Sequence, residues 1–365
     1  MALWYGGADR AAIHTCPPMN DSLTFRVVPP MDASSSIAPL IDGFGRTIRY
    51  LRVSVTDRCD LRCRYCMAEH MTFLPRDRIA TLEELAIIAE RFVARGVRKI
   101  RLSGGEPLVR RDVMLLAKRL GRHVGGALDE LTMTTNGTRL RQYAPELVDA
   151  GIRRLNVSLD SRDPDRFRHI TRHGDVAQVL DGIAAAQEAG LAVKINMVAL
   201  KGMNEDEIAP MLDWCVAEGL DLTLIETMPL GVVDEDRTDR FLPLTVVRER
   251  LERRFALARD PDGTGGPARY WRVNGSATRL GLISPLTANF CDGCNRVRLT
   301  TEGRLYTCLG HDDQRDLRAA LREGGPAALD AAIEDALTTK PQRHDFRIAE
   351  GSEPAVSRHM SVTGG

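Results

Sequence analysis

Six of the eight cysteines stand in two triplets whose spacing suits metal chemistry. The first triplet is Cys59, Cys63 and Cys66, with C-x3-C-x2-C spacing, and the second is Cys291, Cys294 and Cys308, with two and thirteen residues between them. In a reducing compartment such grouping indicates metal ligands rather than disulfides. We expect the other two cysteines to have no such role: Cys215 as a small core residue, and Cys16 as a mobile thiol.

Each triplet offers three thiolates and no fourth. Three thiolates can bind three irons of a 4Fe-4S cluster and leave the fourth iron open to another ligand. Structural zinc takes four protein ligands, commonly from paired C-x2-C halves, so the first triplet favours a cluster. In the second triplet His311 could complete a zinc site, and the alternative is a second cluster with one accessible iron.

Three further motifs place polar groups beside the triplets. Glycines in Ser103–Pro107 (sequence SGGEP) would let the backbone approach a ligand closely, and Glu106 is expected to accept a hydrogen bond from a ligand ammonium group. Tyr65 lies between two cysteines and is expected near the same ligand, the alternative being a packing aromatic. In Asn295–Arg298 (NRVR), two arginines on one side of an extended segment suit phosphate or purine edges, unless they are solvated surface residues.

Strand-like and helix-like runs alternate about six times after residue 46, which predicts parallel strands joined by helical crossovers. The strands are expected at residues 48–55, 97–103, 131–136, 154–160, 192–199 and 220–227. The clearest helix covers 82–95, with Thr81 and Glu84 in capping-box positions and Gly96 at its end.

Five of these strands alternate apolar and polar side chains, so one face of the sheet is polar. The polar face carries Arg52, Arg101, Thr134, Ser158 and Lys194. A doubly wound sheet is covered on both faces and gives continuous apolar runs, so the alternation favours a barrel with a polar, ligand-filled interior. We therefore predict an α/β fold, a partial (β/α)6 TIM-like barrel with a small C-terminal iron-sulfur domain. The expected boundaries are 1–45 for a flexible extension, 46–262 for the barrel and 263–365 for the C-terminal domain.

Composition excludes several classes of protein. Fifty Lys plus Arg residues balance fifty Asp plus Glu residues, so no overall field would hold nucleic acid or an anionic membrane. The 365-residue sequence has no apolar run near the roughly 20 residues that a membrane span needs, and no secretory signal pattern. The expected location is the cytoplasm.

The motifs together resemble the GTP 3′,8-cyclases, a family of radical S-adenosylmethionine enzymes that act first in molybdenum-cofactor biosynthesis. The resemblance covers residues 50–365 and rests on motifs in order along the chain: 56–59 (TDRC), 102–107 (LSGGEP), 134–137 (TTNG), 156–158 (NVS), 290–296 (FCDGCNR) and the pair Gly364-Gly365. It implies two [4Fe-4S] clusters and S-adenosyl-L-methionine as cofactors. It also implies that a deoxyadenosyl radical takes the hydrogen from C3′ of GTP, and that the carbon radical adds to guanine C8.

The resemblance also assigns roles to residues of this chain. It implies cofactor contacts from Tyr65, Gly105, Ser158 and Met228. It implies GTP contacts from Arg52, Arg101, Thr134, Lys194, Arg296, Val297 and Arg298, and catalytic roles for Arg298, Gly364 and Gly365. The implied partners are GTP, a downstream cyclic pyranopterin monophosphate synthase, and an electron donor such as flavodoxin or ferredoxin. A homodimer is the expected assembly, and the composition predicts no nucleic acid or membrane partner.

Overall fold

A computed structural model describes residues 38–233, 237–263, 265–348 and 354–364. Most of the predicted N-terminal extension, Cys16 and Gly365 lie outside these ranges. The described residues all belong to one compact unit. In the described part of the chain, no helix is long and apolar enough to cross a membrane.

Six consecutive strands form the predicted parallel array. They are β1 (Tyr50–Ser54), β2 (Lys99–Ser103), β3 (Glu130–Thr135), β4 (Arg154–Ser158), β5 (Ala192–Ala199) and β6 (Asp221–Glu226). Later strands are β7 (Leu257–Asp260), β8 (Arg269–Val273), β9 (Arg279–Ile283), β10 (Arg296–Leu299), β11 (Arg304–Tyr306) and β12 (Gln314–Asp316). Among the described residues these twelve strands form one sheet, in the order β12-β11-β10-β1-β2-β3-β4-β5-β6-β9-β8-β7.

Strands from the C-terminal part of the chain extend the array at both edges. β10 runs parallel to β1, with Arg298 opposite Arg52, and β9 runs parallel to β6. β11 and β8 then pair antiparallel outside them. No pairing closes β12 onto β7 within the described residues, so the barrel is incomplete, as predicted. The boundary at residue 262 stays a prediction, and the segment beyond it shares this sheet.

Helices pack mainly on the outer face of the sheet, but the last short helix contributes Met360 to the interior cavity. They are α1 (Leu82–Ala94), α2 (Val113–Gly121), α3 (Leu140–Asp149), α4 (Pro164–Thr171), α5 (Val176–Glu188), α6 (Ile208–Ala217), α7 (Arg237–Arg240), α8 (Leu244–Glu252), α9 (Leu317–Thr338) and α10 (Met360–Thr363). The capping box of α1 is present: Glu84 N donates to Thr81 Oγ1 at 3.2 Å and Thr81 N donates to Glu84 Oε2 at 2.8 Å. α9 is kinked at Gly325-Pro326, where Gly325 has a φ of 64°.

The alternation of the strands sets the two faces of the sheet. Leu51, Ile100, Met133, Leu155 and Ile195 are at most 1% exposed and pack in the apolar layer under the helices. Burying this row removes large apolar side chains from water and is the main driving force for closing the helices over the strands. Cys215 belongs to the same layer, as predicted. The polar side chains of the same strands therefore point into the barrel.

Candidate active site

A large cavity occupies the interior of the barrel, and most of the predicted site residues line it. Cys59, Cys63 and Cys66 lie at the end of the cavity formed by the loop after β1. The predicted cofactor residues there are Tyr65, Gly105, Ser158 and Met228, and the predicted GTP residues there are Arg52, Arg101, Thr134, Lys194, Arg296 and Arg298. Val297 is the exception, because it is fully buried on the other face of β10, opposite Leu51. Only its main chain could face a ligand.

The first triplet sits on a loop that neighbouring segments hold in place. Cys66 N donates to Cys63 O at 2.9 Å, while Arg62 N and Arg64 N each donate at 3.0 Å to the carbonyls of Thr171 and Ile170. Burial raises the pKa of the Cys63 thiol well above its ordinary value, with Asp160 acting in the same direction. A metal would have to supply the compensating positive charge for thiolates to form here. The thiols therefore fit a bound cluster rather than free anions.

Tyr65 joins this loop to the segment that follows β4. Its hydroxyl donates to Asp160 Oδ2 at 2.7 Å, and Asp160 Oδ1 accepts from Val198 N at 2.8 Å. Burial raises the pKa of the Asp160 carboxyl to about 6, although both hydrogen bonds oppose this. Tyr65 is thus held at a fixed angle on the cavity wall, whichever of its two predicted roles it serves.

The two glycines after β2 are needed for packing against the cysteine loop. A Cβ on Gly105 would lie 2.3 Å from Arg58 O, and one on Gly104, whose φ is +140°, would lie 2.2 Å from Thr56 O. Gly105 N donates to Thr56 O at 2.8 Å. Any side chain would push the loop away, so these glycines allow the cysteine loop to pack closely against the end of β2.

Glu106 does not face the cavity, and the expectation that it receives a ligand ammonium group is wrong. The residue is fully buried. Its Oε1 accepts from Leu108 N and Thr135 Oγ1, both at 2.9 Å, and its Oε2 accepts from Asn136 N at 2.6 Å. Burial raises the pKa of this carboxyl to about 7 despite these bonds. Glu106 ties the loop after β2 to the loop after β3 and so shapes the wall of the site.

Cationic side chains crowd the middle of the cavity. Strand register sets Arg52 between Arg101 on β2 and Arg298 on β10. Burial lowers the pKa of Arg52 to about 10, and the positive charges of Arg296 and Arg101 act in the same direction. Burial lowers the pKa of Lys194 to about 7, with Arg101 and Arg154 adding to the effect. Cations that lower the pKa of Arg52 and Lys194 in this way form a site that a polyanion would stabilise.

Two tyrosines that the motif analysis missed hold these cations in position. Arg101 Nε donates to Tyr50 Oη at 2.6 Å, and Lys194 Nζ donates to Tyr270 Oη at 2.8 Å. Burial alone would raise the pKa of the Tyr50 phenol, but Arg101 and the cations around it lower it well below the ordinary value. Both tyrosine oxygens accept a hydrogen bond from a cation and so fix its position on the cavity wall. Tyr50 could have been found from the alternation, since it shares a face with Arg52, whereas no local signal pointed to Tyr270.

The second triplet begins in a short 3-10 turn at Cys291–Gly293, where Cys294 N donates to Cys291 O at 3.0 Å. Burial alone would raise the pKa of the Cys294 thiol, but Arg296 and Lys340 lower it below its ordinary value. His311, the fourth ligand in the zinc alternative, places its Nε2 3.1 Å from Arg343 O. Within the described residues, no three His, Cys, Asp or Glu side chains form a site for a single metal ion. The donor set is three thiols in a cationic setting, which suits a cluster.

The segment before Gly365 enters the cavity. Arg52 Nη1 donates to Gly364 O at 3.0 Å, and Arg298 Nη1 donates to Gly364 O and, at 3.2 Å, to Thr363 O. Gly364 has a φ of 73°, and a Cβ there would lie 2.1 Å from Ser103 Oγ. The predicted approach of this tail to Arg298 is therefore confirmed for Gly364. The catalytic role of the tail stays a prediction, and Gly365 lies outside the described residues.

Two family models match the chain. The model described as the Radical SAM superfamily covers residues 53–215, and the model described as Molybdenum Cofactor Synthesis C covers residues 220–346. The two models meet just before β6, upstream of the boundary predicted at residue 262.

Curated relatives and a solved structure agree with the family models. A GTP 3′,8-cyclase of Rhizobium meliloti (strain 1021) is 59% identical over 339 residues, which is 92% of this chain and 97% of the relative. A GTP 3′,8-cyclase of Erythrobacter litoralis (strain HTCC2594) is 59% identical over 327 residues, 89% of this chain and 98% of the relative. The crystal structure of Streptococcus suis SuiB bound to S-adenosylmethionine matches with a TM-score of 0.55 at 14% sequence identity. The match covers 86% of this chain and 77% of the SuiB chain, and it supports the fold alone. The chain therefore belongs to the radical S-adenosylmethionine superfamily and, within it, to the GTP 3′,8-cyclase family.

Proposed function

We propose that this protein cyclises GTP to (8S)-3′,8-cyclo-7,8-dihydroguanosine 5′-triphosphate, the first step of molybdenum-cofactor biosynthesis. The single observation that carries the proposal is the row of buried cations in the barrel, reached from one side by the first cysteine triplet. Relatives that share 59% of their residues with this chain bear the name of this activity. The two cofactors of the proposal, [4Fe-4S] clusters and S-adenosylmethionine, are those of the superfamily.

The cysteines would hold the two clusters. Cys59, Cys63 and Cys66 would bind the cluster that receives S-adenosylmethionine, and Cys291, Cys294 and Cys308 would bind the other. When bound, the first cluster and S-adenosylmethionine supply the radical that takes a hydrogen from the substrate. Tyr65, Gly105, Ser158 and Met228 line the same end of the cavity and would position the adenosyl group.

The cations and polar groups of the strands would bind the nucleotide. Arg101 and Lys194 are buried and Arg52 is partly buried, so their attraction for a triphosphate is only weakly screened by water. Arg296, Arg298 and Thr134 would orient the remainder of GTP, together with the main chain at Val297. The buried interior also keeps bulk water from a reactive radical. Holding C3′ and C8 of one bound nucleotide in a fixed geometry converts ring closure into a favourable intramolecular step.

The described tail supports a role for Gly364, Gly365 and Arg298 in catalysis. Gly364 O receives hydrogen bonds from both Arg52 and Arg298. A chain without side chains could remain beside the substrate where space is narrow, and it would aim the arginine forks at the reacting part of GTP.

The proposal extends to the partners and the location. A cyclic pyranopterin monophosphate synthase would consume the product, and a donor such as flavodoxin or ferredoxin would reduce the first cluster. Thiol ligands require a reducing compartment, which supports the cytoplasm. A homodimer is the proposed assembly. The exposed apolar side chains of Ile41 and Phe44 offer a surface for it, and sedimentation of the full chain would measure it directly.

Anaerobic reconstitution of the cysteine variants tests the proposal. The wild-type protein should hold about eight irons in two 4Fe-4S clusters and form 5′-deoxyadenosine in response to GTP. Cys63→Ala should abolish cleavage of S-adenosylmethionine, whereas Cys294→Ala should keep the first cluster and lose cyclisation. Cys215→Ala removes a thiol outside both triplets and serves as the control. Zinc in the second site, or 5′-deoxyadenosine formation indifferent to GTP, would contradict the proposal and favour a different radical enzyme.

A further inference from the structure

A buried lysine beside the second cysteine triplet has no assigned role. Lys340 follows α9 and is 3% exposed. Its Nζ donates to Thr307 O at 2.7 Å and to Arg296 O at 3.3 Å, and it lies 3.6 Å from Cys294 Sγ. These contacts place one ammonium group between the two segments that carry Cys294 and Cys308.

Within the part of the chain that the structure describes, Lys340 lacks the counter-charge that buried lysines normally have. Among the described residues no carboxylate pairs with it, and its hydrogen-bond partners are two carbonyls and a thiol. A buried ammonium group without an anion is costly, because its hydration is lost and nothing charged replaces it. The nearest group that could become an anion is the Cys294 thiol.

The other cations near this triplet are differently placed. Arg46 Nη1 donates to Cys291 O at 2.9 Å, but its guanidinium forms a 2.6 Å ion pair with Asp42. Arg296 lines the substrate cavity and lies over the rings of Tyr50 and Phe290. Lys340 is therefore a charge that faces the triplet, pairs with no carboxylate in the ranges that the structure describes, and does not line the cavity.

We propose that Lys340 is the fixed counter-charge of the second cluster and makes that cluster easier to reduce. This inference rests on the proposed function, because it requires a cluster at the second triplet. Adding an electron makes a thiolate-bound cluster more negative, and a positive charge in a dry site a few ångströms away stabilises the reduced form more than the oxidised form. Net charge and hydrogen bonds to the sulfurs are known determinants of cluster potentials. Lys340 supplies both at once.

Two variants separate the charge of Lys340 from its hydrogen bonds. Lys340→Gln keeps a donor for the carbonyls of Thr307 and Arg296 and removes the charge, whereas Lys340→Met removes both. Lys118→Met is the control, since Lys118 is a half-exposed residue paired with Glu146 on the surface. Each change is made in the full chain and again with Cys63→Ala, so that the second cluster can be titrated alone. Potentials are read from the electron paramagnetic resonance signal of the reduced cluster.

At the wild-type midpoint, the ratio of reduced to oxidised second cluster should fall about tenfold in both Lys340 variants, which for a one-electron couple is about 59 mV. The first cluster and Lys118→Met should not change. The inference is overturned if, in Lys340→Gln, the ratio of reduced to oxidised second cluster stays within twofold of wild type. It is also overturned if the potential shifts only in Lys340→Met. If both variants lose iron from this site, Lys340→Arg decides. Retained iron at the wild-type potential supports the counter-charge, and lost iron overturns it. A wild-type protein without iron at this triplet would instead refute the proposed function.

Discussion

Gly364 lies where a side chain has no room, so Gly364→Ala tests whether the tail acts inside the cavity. The new Cβ would fall 2.1 Å from Ser103 Oγ and 3.0 Å from Ser103 Cβ. The backbone adds to the conflict, because a residue with a side chain at a φ of 73° and a ψ of 126° costs about 1–3 kcal/mol. We expect the tail to leave its place rather than the strand to move, since Ser103 ends β2, which is paired with β1 on one side and β3 on the other.

The size of the effect follows from the contacts that are lost. Gly364 O accepts from two arginines, and a hydrogen bond to a charged group contributes about 1.5–3 kcal/mol. Losing both would lower the fraction of molecules with the tail in place by a factor of about one hundred or more. Deleting Gly364 and Gly365 together should have the same consequence. Neither change touches the main apolar layer, so thermal unfolding and iron content should stay close to wild type.

The assay follows 5′-deoxyadenosine formed in response to GTP, together with the cyclised product. Both should fall by orders of magnitude in Gly364→Ala, while GTP still binds. Ser103→Gly removes the atoms that the new Cβ would meet, so the double variant should recover part of the activity that Gly364→Ala loses. Ser103→Gly alone gives the baseline for that comparison. Near-normal product from Gly364→Ala, or from the truncated chain, would refute a role for the tail in catalysis.

Three further predictions follow from the buried charges. Arg101→Ala should weaken GTP binding by about 1.5–3 kcal/mol and leave guanosine binding nearly unchanged, because charge-assisted bonds to the triphosphate are lost; equal losses would place Arg101 at the nucleoside. Because the pKa of Lys194 is lowered to about 7 and triphosphate favours the charged form, GTP binding above this pH should take up a proton and weaken as pH rises. Calorimetry in buffers of different ionisation enthalpy should detect the proton uptake in wild type and not in Lys194→Met, and identical results for the two would argue against it. Glu106→Gln should lower the free energy of unfolding by about 1–3 kcal/mol, because an amide nitrogen would replace an oxygen that accepts hydrogen bonds; an unchanged urea midpoint would show that the loops after β2 and β3 do not depend on it.

Local patterns predicted the interior of the barrel well. The alternation of polar and apolar residues alone predicted that Arg52, Arg101, Thr134, Ser158 and Lys194 point into the barrel, and all five line the cavity. The reason is geometric, since side chains of a strand point alternately to its two faces and only one face of each strand was polar. The same rule explains Val297, whose neighbours Arg296 and Arg298 point inward, so its side chain must point outward.

Long-range contacts account for what the sequence did not predict. The prediction for Glu106 was wrong because its actual hydrogen-bond donors, Thr135 and Asn136, lie about thirty residues further along the chain. The parallel pairing of β10 with β1 joins residues that are almost 250 positions apart, and no local pattern marks it. Lys340 reaches the second triplet only because α9 packs across β11. Periodicity reports which face a residue takes, but it does not report which distant segment will meet that face.

The two outer parallel strands have a consequence for how the protein is made. β1 and β6 are the edges of the six-strand array until β10 and β9 cover them, and those strands leave the ribosome some 240 and 55 residues later, respectively. During that interval a growing chain would present two unpaired strand edges, which are templates for pairing with other chains. Chaperone demand during synthesis should therefore be greatest before residue 300 has emerged. Nonsense mutations that stop translation between β6 and β10 should yield insoluble fragments rather than a smaller folded barrel.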